Sequence, residues 1–216
     1  ALYFTRLTAH LCAPTFVFLT GLGAWLYAHP PTGAERPVGG FLLKRGLLLV
    51  ALELTLVSIA WYGDVPPRTI FLQVIWAIGL SMIVLAALVR LPLRWLAALG
   101  FLIVFGHNAL SGFHIPAGSP GHDLWTVLHD RGWLVEDGPV KVKLSYPVLP
   151  WIGVILLGFA AGPIYGRDVD SDTRRAWLLR LGLGCLALLA VLRGFNIYGE
   201  TLPWSPQADA THTAMS

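Results

Sequence analysis

Charged residues and cysteines are both scarce in this chain. Fifteen Lys or Arg and twelve Asp or Glu make up 12% of 216 residues, about half the share in an ordinary soluble domain. Two cysteines are too few for a disulfide scaffold. The net charge of +3 is explained by basic loops facing an anionic membrane leaflet. A soluble domain is therefore excluded, and no nucleic-acid partner is expected.

Apolar residues are abundant, at 56% of the chain. A helix needs about 20 apolar residues to cross a hydrocarbon layer, and six runs of roughly this length occur between turn or charge signals. They are residues 11–28, 46–63, 70–89, 95–113, 146–166 and 177–195. The pattern predicts an all-α, polytopic transmembrane helix bundle with about six spans, forming a single transmembrane domain over residues 1–216. The chain begins at Ala1 without a signal peptide, and we expect it to be a segment of a longer protein.

The distribution of Lys and Arg predicts the orientation in the membrane. If the first span runs inward, nine basic residues face the cytoplasm: Arg36, Lys44, Arg45, Arg90, Arg94, Arg167, Arg174, Arg175 and Arg180. The other six are spread over longer outer loops. The protein is accordingly predicted to be integral to a membrane, with the lipid bilayer as its first partner.

Residues 114–145 form the one long loop, which this orientation places outside. Asp123 to Asp130 is predicted to be a short helix, and residues 133–144 alternate with period two around Gly138-Pro139, which is typical of a hairpin. The loop also carries His114, His122 and His129. Their spacing matches no zinc motif, so no metal is expected.

Polar side chains within or beside the spans collect near the outer ends. This group comprises His10, Gln73, His107, Asn108, Arg193 and Asn196. Glu53 is placed deeper, roughly halfway along its span, where an ionisable side chain is costly unless it serves a polar interior. These residues predict a cavity that opens away from the cytoplasm.

Each of these residues also has a purely structural interpretation. His10 could be a hydrated helix-end residue, and His107-Asn108 could satisfy backbone groups at a helix end. Glu53 could accept hydrogen bonds from Thr55, Ser58 or a neighbouring Trp. Arg193 could extend to the membrane interface.

Small residues predict close helix packing at three places. The patterns are Gly21-Leu22-Gly23, Gly158 to Gly162 and Gly182-Leu183-Gly184. In lipid, such residues let two helix backbones approach each other.

Long motifs resemble one known family. They include His10-Leu11-Cys12-Ala13-Pro14-Thr15-Phe16, Phe41-Leu42-Leu43-Lys44-Arg45-Gly46 with Glu53-Leu54-Thr55, Leu72-Gln73-Val74-Ile75-Trp76, His107-Asn108, Tyr146-Pro147-Val148-Leu149-Pro150-Trp151 and Asn196-Ile197-Tyr198-Gly199. Together they resemble the bacterial branch of the heparan-α-glucosaminide N-acetyltransferase catalytic-domain family, over nearly the whole chain.

The resemblance implies a membrane acyltransferase of the bacterial cytoplasmic membrane, with further helices before Ala1 and after Ser216. The donor would be acyl-CoA, typically acetyl-CoA, and the acceptor an amine or hydroxyl of an extracytoplasmic glycan or lipid. The catalytic histidine of the animal enzyme has no clear counterpart here, although His10 lies nearby.

Acyl transfer needs a base and a donor that stabilises the developing oxyanion. The predicted catalytic residues are His10, His107 and Glu53, with Glu53 orienting a histidine. The predicted substrate-binding residues are Gln73, Trp76, Asn108, Arg193 and Asn196. The alternative function is a transporter or permease-like protein in which Glu53 and His107 bind a proton or solute.

Overall fold

The computed structural model describes the backbone of residues 2–195 and the side chains of residues 11–192 and 195. Two compact units are present. The larger unit is Cys12–Gly162, and the smaller combines Ala1–Leu11 with Pro163–Ser216. Helix α1, Leu2–Ala28, begins in the smaller unit and continues into the larger one.

The larger unit is mostly helical. After α1 it contains α2 (Val38–Leu52), a π-helical turn (Glu53–Val57), α3 (Ser58–Tyr62), β1 (Thr69–Leu72), α4 (Val74–Leu88), α5 (Leu93–Gly106), a 3-10 helix (His107–Leu110), α6 (His122–Leu128), β2 (Gly132–Val135), β3 (Lys141–Leu144) and α7 (Leu149–Ala160). Helix α2 packs on α4, and α7 packs on both α4 and α5. Fully buried Leu42, Leu85, Leu96 and Ile155 belong to the shared core.

Glycines permit the closest contacts between these helices. A Cβ on Gly46 would lie 2.6 Å from the carbonyl oxygen of Gly79, and one on Gly79 would lie 2.9 Å from that of Gly46. Where α5 meets α7, a Cβ on Gly100 would lie 3.1 Å from the carbonyl oxygen of Gly153. Helix backbones therefore touch at these crossings, which is the packing expected of helices in lipid.

A three-stranded sheet caps one end of the larger unit, in the order β1-β3-β2. Strands β2 and β3 form the predicted hairpin, with an irregular register between Trp133 and Val135. Strand β1 pairs in parallel with β3, from Thr69 opposite Lys141 to Leu72 opposite Leu144. Residues just before α4 are thus joined to the loop that follows α5, and we call this end of the unit the sheet end.

The prediction of six spans is not supported. Three helical windows in the described part are long and apolar enough to cross a membrane: Leu11–Ala28, Leu93–Leu110 and Ser171–Leu192. The run 46–63 contains the π-helical turn, the run 70–89 begins as β1, and in the run 146–166 helix α7 covers only Leu149–Ala160. Apolar runs are common to buried strands, short core helices and spanning helices, so composition alone did not separate them.

The smaller unit contains a 3-10 helix that begins at the boundary (Gly162–Tyr165) and helix α8 (Ser171–Phe195). Asp170 caps α8, because its Oδ1 accepts the backbone N–H groups of Asp172 at 3.0 Å and Thr173 at 2.9 Å. Hydrogen bonds from Thr173 lower the pKa of Asp170. Most described side chains of α8 are exposed, as expected of a helix surrounded by lipid.

Candidate functional site

Glu53 lies where the helix that begins at Val38 changes from α to π geometry. The Ser58 hydroxyl donates to the Glu53 carbonyl oxygen at 2.7 Å, five residues back. π-helical turns are rare in proteins, and those that exist are often found at functional sites. The turn therefore singles out Glu53 independently of its charge.

The Glu53 side chain is fully buried. Its Oε1 accepts the backbone N–H of Gln73 at 3.0 Å, and Gln73 is the N-cap residue of α4. A carboxylate at this position satisfies a free backbone donor and interacts favourably with the positive end of the helix dipole. The sequence predicted Glu53 to be deeper than Gln73, but the two meet at the same level because residues 69–72 form β1.

Two buried polar atoms in this region have no hydrogen-bond partner among the described residues. They are Oε2 of the Glu53 carboxyl group and Nε1 of Trp76, a donor on the first turn of α4. Buried polar atoms are nearly always paired, so each unpaired one calls for a ligand, a water molecule or a catalytic role. A hydroxyl or amine group can both donate and accept and would suit either atom.

His107 begins the 3-10 helix that follows α5. Its Nδ1 lies 2.9 Å from the carbonyl oxygen of Val104 and 3.2 Å from that of Ile103. Carbonyl oxygens only accept, so Nδ1 carries a proton and the neutral ring has its lone pair on Nε2. His107 therefore has the tautomer that a general base acting through Nε2 requires.

A chain of hydrogen bonds links the His107 backbone to the loop that leads into the sheet. His129 Nε2 lies 3.0 Å from the His107 carbonyl oxygen, and His129 Nδ1 lies 3.1 Å from Asp130 Oδ1. Asp130 Oδ2 lies 3.0 Å from His114 Nδ1. We call the series His114, Asp130, His129 and the His107 carbonyl the histidine chain. The sequence pointed to these side chains only as weak metal candidates.

Trp125 fixes the position of His129. The two rings are stacked with their centroids 5.0 Å apart, and the indole Nε1 donates to the Phe113 carbonyl oxygen at 3.1 Å. His129 directly follows α6, four residues after Trp125, and its backbone N–H still donates to the Trp125 carbonyl oxygen at 2.8 Å. His129 is consequently well buried, with 9% of its side chain exposed.

Asp130 is ionised at neutral pH. Partial burial alone would raise its pKa, but hydrogen bonds and charge attraction from His114 and His129 outweigh that effect, and the pKa lies below the ordinary aspartate value. A negative charge therefore lies between the two imidazole rings.

The predicted site residues are only partly brought together. Glu53 meets Gln73, and Trp76 follows one turn later, whereas Glu53 has no described hydrogen bond to a histidine. The predicted orienting role of Glu53 toward His107 is instead filled by the carbonyls of Ile103 and Val104. Asn108 is half-buried in the 3-10 helix, beside His107.

Three predicted residues cannot be assigned a geometry. The side chains of His10 and Arg193 lie outside the described ones, and Asn196 lies outside the described residues altogether. Among the side chains that are described, no group of three or more His, Cys, Asp or Glu residues could bind a metal ion.

The fold and the site define a helical membrane protein that carries a small sheet and a histidine-containing loop at one end. Residues 2–190 match the family model for heparan-alpha-glucosaminide N-acetyltransferase, catalytic, and the chain belongs to this family. The match supports a membrane acetyltransferase-like function and gives no support to the transporter alternative. No curated protein and no solved structure matches the chain.

Proposed function

We propose that this chain transfers an acyl group, typically acetyl, from acyl-CoA to an amine or hydroxyl of a glycan or lipid on the extracytoplasmic side of a bacterial cytoplasmic membrane. The family membership over residues 2–190 is the observation that supports acyl transfer as the reaction. The basic Lys and Arg residues of the opposite loops support placing the sheet end outside.

His107 is the proposed general base. Its Nε2 takes the proton of the acceptor as the acceptor nitrogen or oxygen attacks the thioester carbonyl carbon. When the tetrahedral intermediate collapses, the carbon–sulfur bond breaks and the proton passes from His107 to the departing thiolate. The ring is thereby restored to its starting state, with Nδ1 held by the carbonyls of Ile103 and Val104 throughout.

Glu53 and Trp76 are the proposed binding groups of the polar site at the start of α4. The free Oε2 of Glu53 would accept a hydrogen bond from an acceptor amine or hydroxyl, and the free Nε1–H of Trp76 would donate to an acceptor oxygen. Asn108, beside the base, is proposed to donate to the developing oxyanion. Gln73 contributes through its backbone N–H, which holds the Glu53 carboxylate.

The test uses the full chain in membrane vesicles with radiolabelled acetyl-CoA and a glucosamine-terminated glycoside as acceptor probe. We expect His107→Gln to lower kcat by about a hundredfold, the usual loss when a general base is removed. Glu53→Gln retains an oxygen for the Gln73 N–H, so it should raise the KM for the acceptor without unfolding the protein.

His122→Gln is the matched control. His122 lies in the same loop, and its Nδ1 lies 2.7 Å from the Ile115 carbonyl oxygen, but it is not part of the histidine chain. Its activity should stay near that of the wild type. Full transfer by His107→Gln would remove His107 from the mechanism, and no transfer to amine or hydroxyl probes by the wild type would refute the proposed reaction.

A further inference from the structure

We propose that His129 is a positioning residue for His107 and that it acts as an imidazolium bridging Asp130 and the His107 carbonyl. This inference deepens the proposed function, because it assigns a means by which the orientation of the catalytic base is fixed. It rests on His107 being that base.

The protons of the histidine chain follow from its acceptors. The His107 carbonyl oxygen only accepts, so the 3.0 Å contact places a proton on His129 Nε2. The Asp130 carboxylate, ionised at neutral pH, places another proton on Nδ1 across 3.1 Å. Both hydrogen bonds exist together only when the His129 ring carries two protons and a positive charge.

The surroundings of His129 suit a cation. The Trp125 ring is stacked on it at an interplanar angle of 16°, and an aromatic face attracts a positive ring. Asp130 supplies the opposing charge and is itself held by His114, whose side chain is 68% exposed. Helix α6 also carries His122 and Asp123, and β2, which packs on α6, carries no charged side chain.

The consequence for His107 is mechanical. The 3-10 turn from His107 to Leu110 comes directly after α5. The His107 ring keeps its orientation only while the His107 backbone holds Nδ1 within hydrogen-bond distance of the Ile103 and Val104 carbonyl oxygens. The charged hydrogen bond from His129 holds that backbone from the loop side. A ring with a single proton could make only one of these two hydrogen bonds, so both protons are needed for His129 to link Asp130 to the turn.

The first experiment observes His107 directly. Nitrogen-15 NMR of histidine-labelled full chain in nanodiscs reports the tautomer of each ring, with signals assigned by single His→Gln variants. We expect a doubly protonated His129 at neutral pH and a His107 ring with its proton on Nδ1. In His129→Gln, the His107 signals should shift or broaden, whereas in the control His122→Gln they should not change.

The second experiment measures acyl transfer. His129→Gln should lower kcat by about tenfold or more with little change in the KM for either substrate, because a misplaced base affects the chemical step. Asp130→Asn removes the carboxylate charge that holds His129 Nδ1, so it should lower kcat in the same direction as His129→Gln. This variant also serves if His129→Gln does not fold.

The two sets of results separate the possible failures. Unchanged His107 signals in both His129→Gln and Asp130→Asn would overturn the positioning role whatever the enzyme's reaction. A singly protonated His129 at neutral pH would overturn the imidazolium. Full activity of His107→Gln would instead refute the proposed base, while the NMR result would still decide whether His129 positions His107.

Discussion

Single polar side chains in this protein differ in how completely they are satisfied. Each of the acceptors in the histidine chain faces a ring nitrogen at 3.0 or 3.1 Å. Glu53 Oε2 and Trp76 Nε1 instead remain without described partners although both atoms are buried. Unpaired buried polar groups destabilise a fold by about 1–3 kcal/mol each, so a water molecule or a bound ligand is expected to pair with these two atoms.

Asp130→Asn is expected to reduce stability at neutral pH and to have little effect in acid. Because its folded pKa is lowered, ionised Asp130 stabilises the fold above the ordinary aspartate pKa of about 3.9. That stabilisation disappears as the pH falls through the lower folded value. Thermal unfolding in detergent should show a Tm about 3 °C lower at pH 7, the shift that corresponds to roughly 1 kcal/mol.

The control for this measurement is Asp137→Asn, which changes an exposed aspartate in the turn of the hairpin. It should leave Tm nearly unchanged at both pH values. A constant Tm difference between wild type and Asp130→Asn from neutral to acidic pH would show that the charge of Asp130 is not what stabilises the loop.

At the scale of elements, the helix from Val38 to Tyr62 is held in its wide turn by a side chain. The Ser58 hydroxyl is buried and bonds to the Glu53 carbonyl, whereas the nearby Thr55 hydroxyl is exposed and bonds to the Ala51 carbonyl at 2.6 Å. Of the two hydrogen bonds, only the one made by Ser58 is buried and lies across the π turn. The turn, and with it the level of the Glu53 carboxyl, therefore depends on Ser58.

Ser58→Ala should accordingly destabilise the protein by about 1 kcal/mol, the usual effect of losing one buried side-chain hydrogen bond. Thr55→Ala, the matched change on the solvent or lipid side, should alter stability by less than about 0.5 kcal/mol. Urea unfolding of both variants in mixed micelles provides the comparison. Equal losses in the two variants would contradict a special role for the Ser58 hydroxyl.

Helix α1 offers a second matched pair, two residues apart. A Cβ on Gly21 would meet the backbone of α7 at the Ile155 carbonyl, whereas a Cβ on Gly23 would meet nothing within 4 Å. Gly21→Ala should destabilise the packing of α1 on α7 by about 1–3 kcal/mol. Gly23→Ala should be neutral or stabilising by up to about 1 kcal/mol, because alanine favours helix. A Tm of Gly21→Ala at or above that of the wild type would contradict the close contact.

Across the whole molecule, features that depend on local sequence patterns could be predicted, whereas pairings between distant segments could not. The hairpin of β2 and β3 followed from alternation around Gly138-Pro139, and the packing role of Gly21 and Gly158 followed from small-residue spacing. Around Gly23 no described atom lies within 4 Å of a Cβ placed there, so only Gly21 of that motif makes the close contact. For Gly182 and Gly184, which likewise have no described neighbour within 4 Å, close packing stays a prediction. Spacing alone does not show which face of a helix is packed.

Strand β1 and the histidine chain could not be predicted because each depends on a distant partner. Ile70 to Leu72 belong to an apolar run, and only the pairing with β3, about seventy residues later, makes them a strand. His129 and the His107 carbonyl are separated by 22 positions, and no periodicity in either segment indicates that they meet. The family resemblance, which depends on long motifs instead of on pairing, was confirmed.

The sheet fixes which connections share a side of the membrane. Because β1 pairs with β3, residues just before α4 and the loop 114–145 must lie on one side. The turn between α4 and α5 lies at the other end of both helices.

In a background with the exposed cysteines replaced, Cys12→Ala and Cys185→Ala, an impermeant thiol reagent should label Glu136→Cys from outside sealed cells. Leu91→Cys should react only after the membrane is opened. Labelling of both positions from the same side would refute the arrangement in which α5 crosses the bilayer.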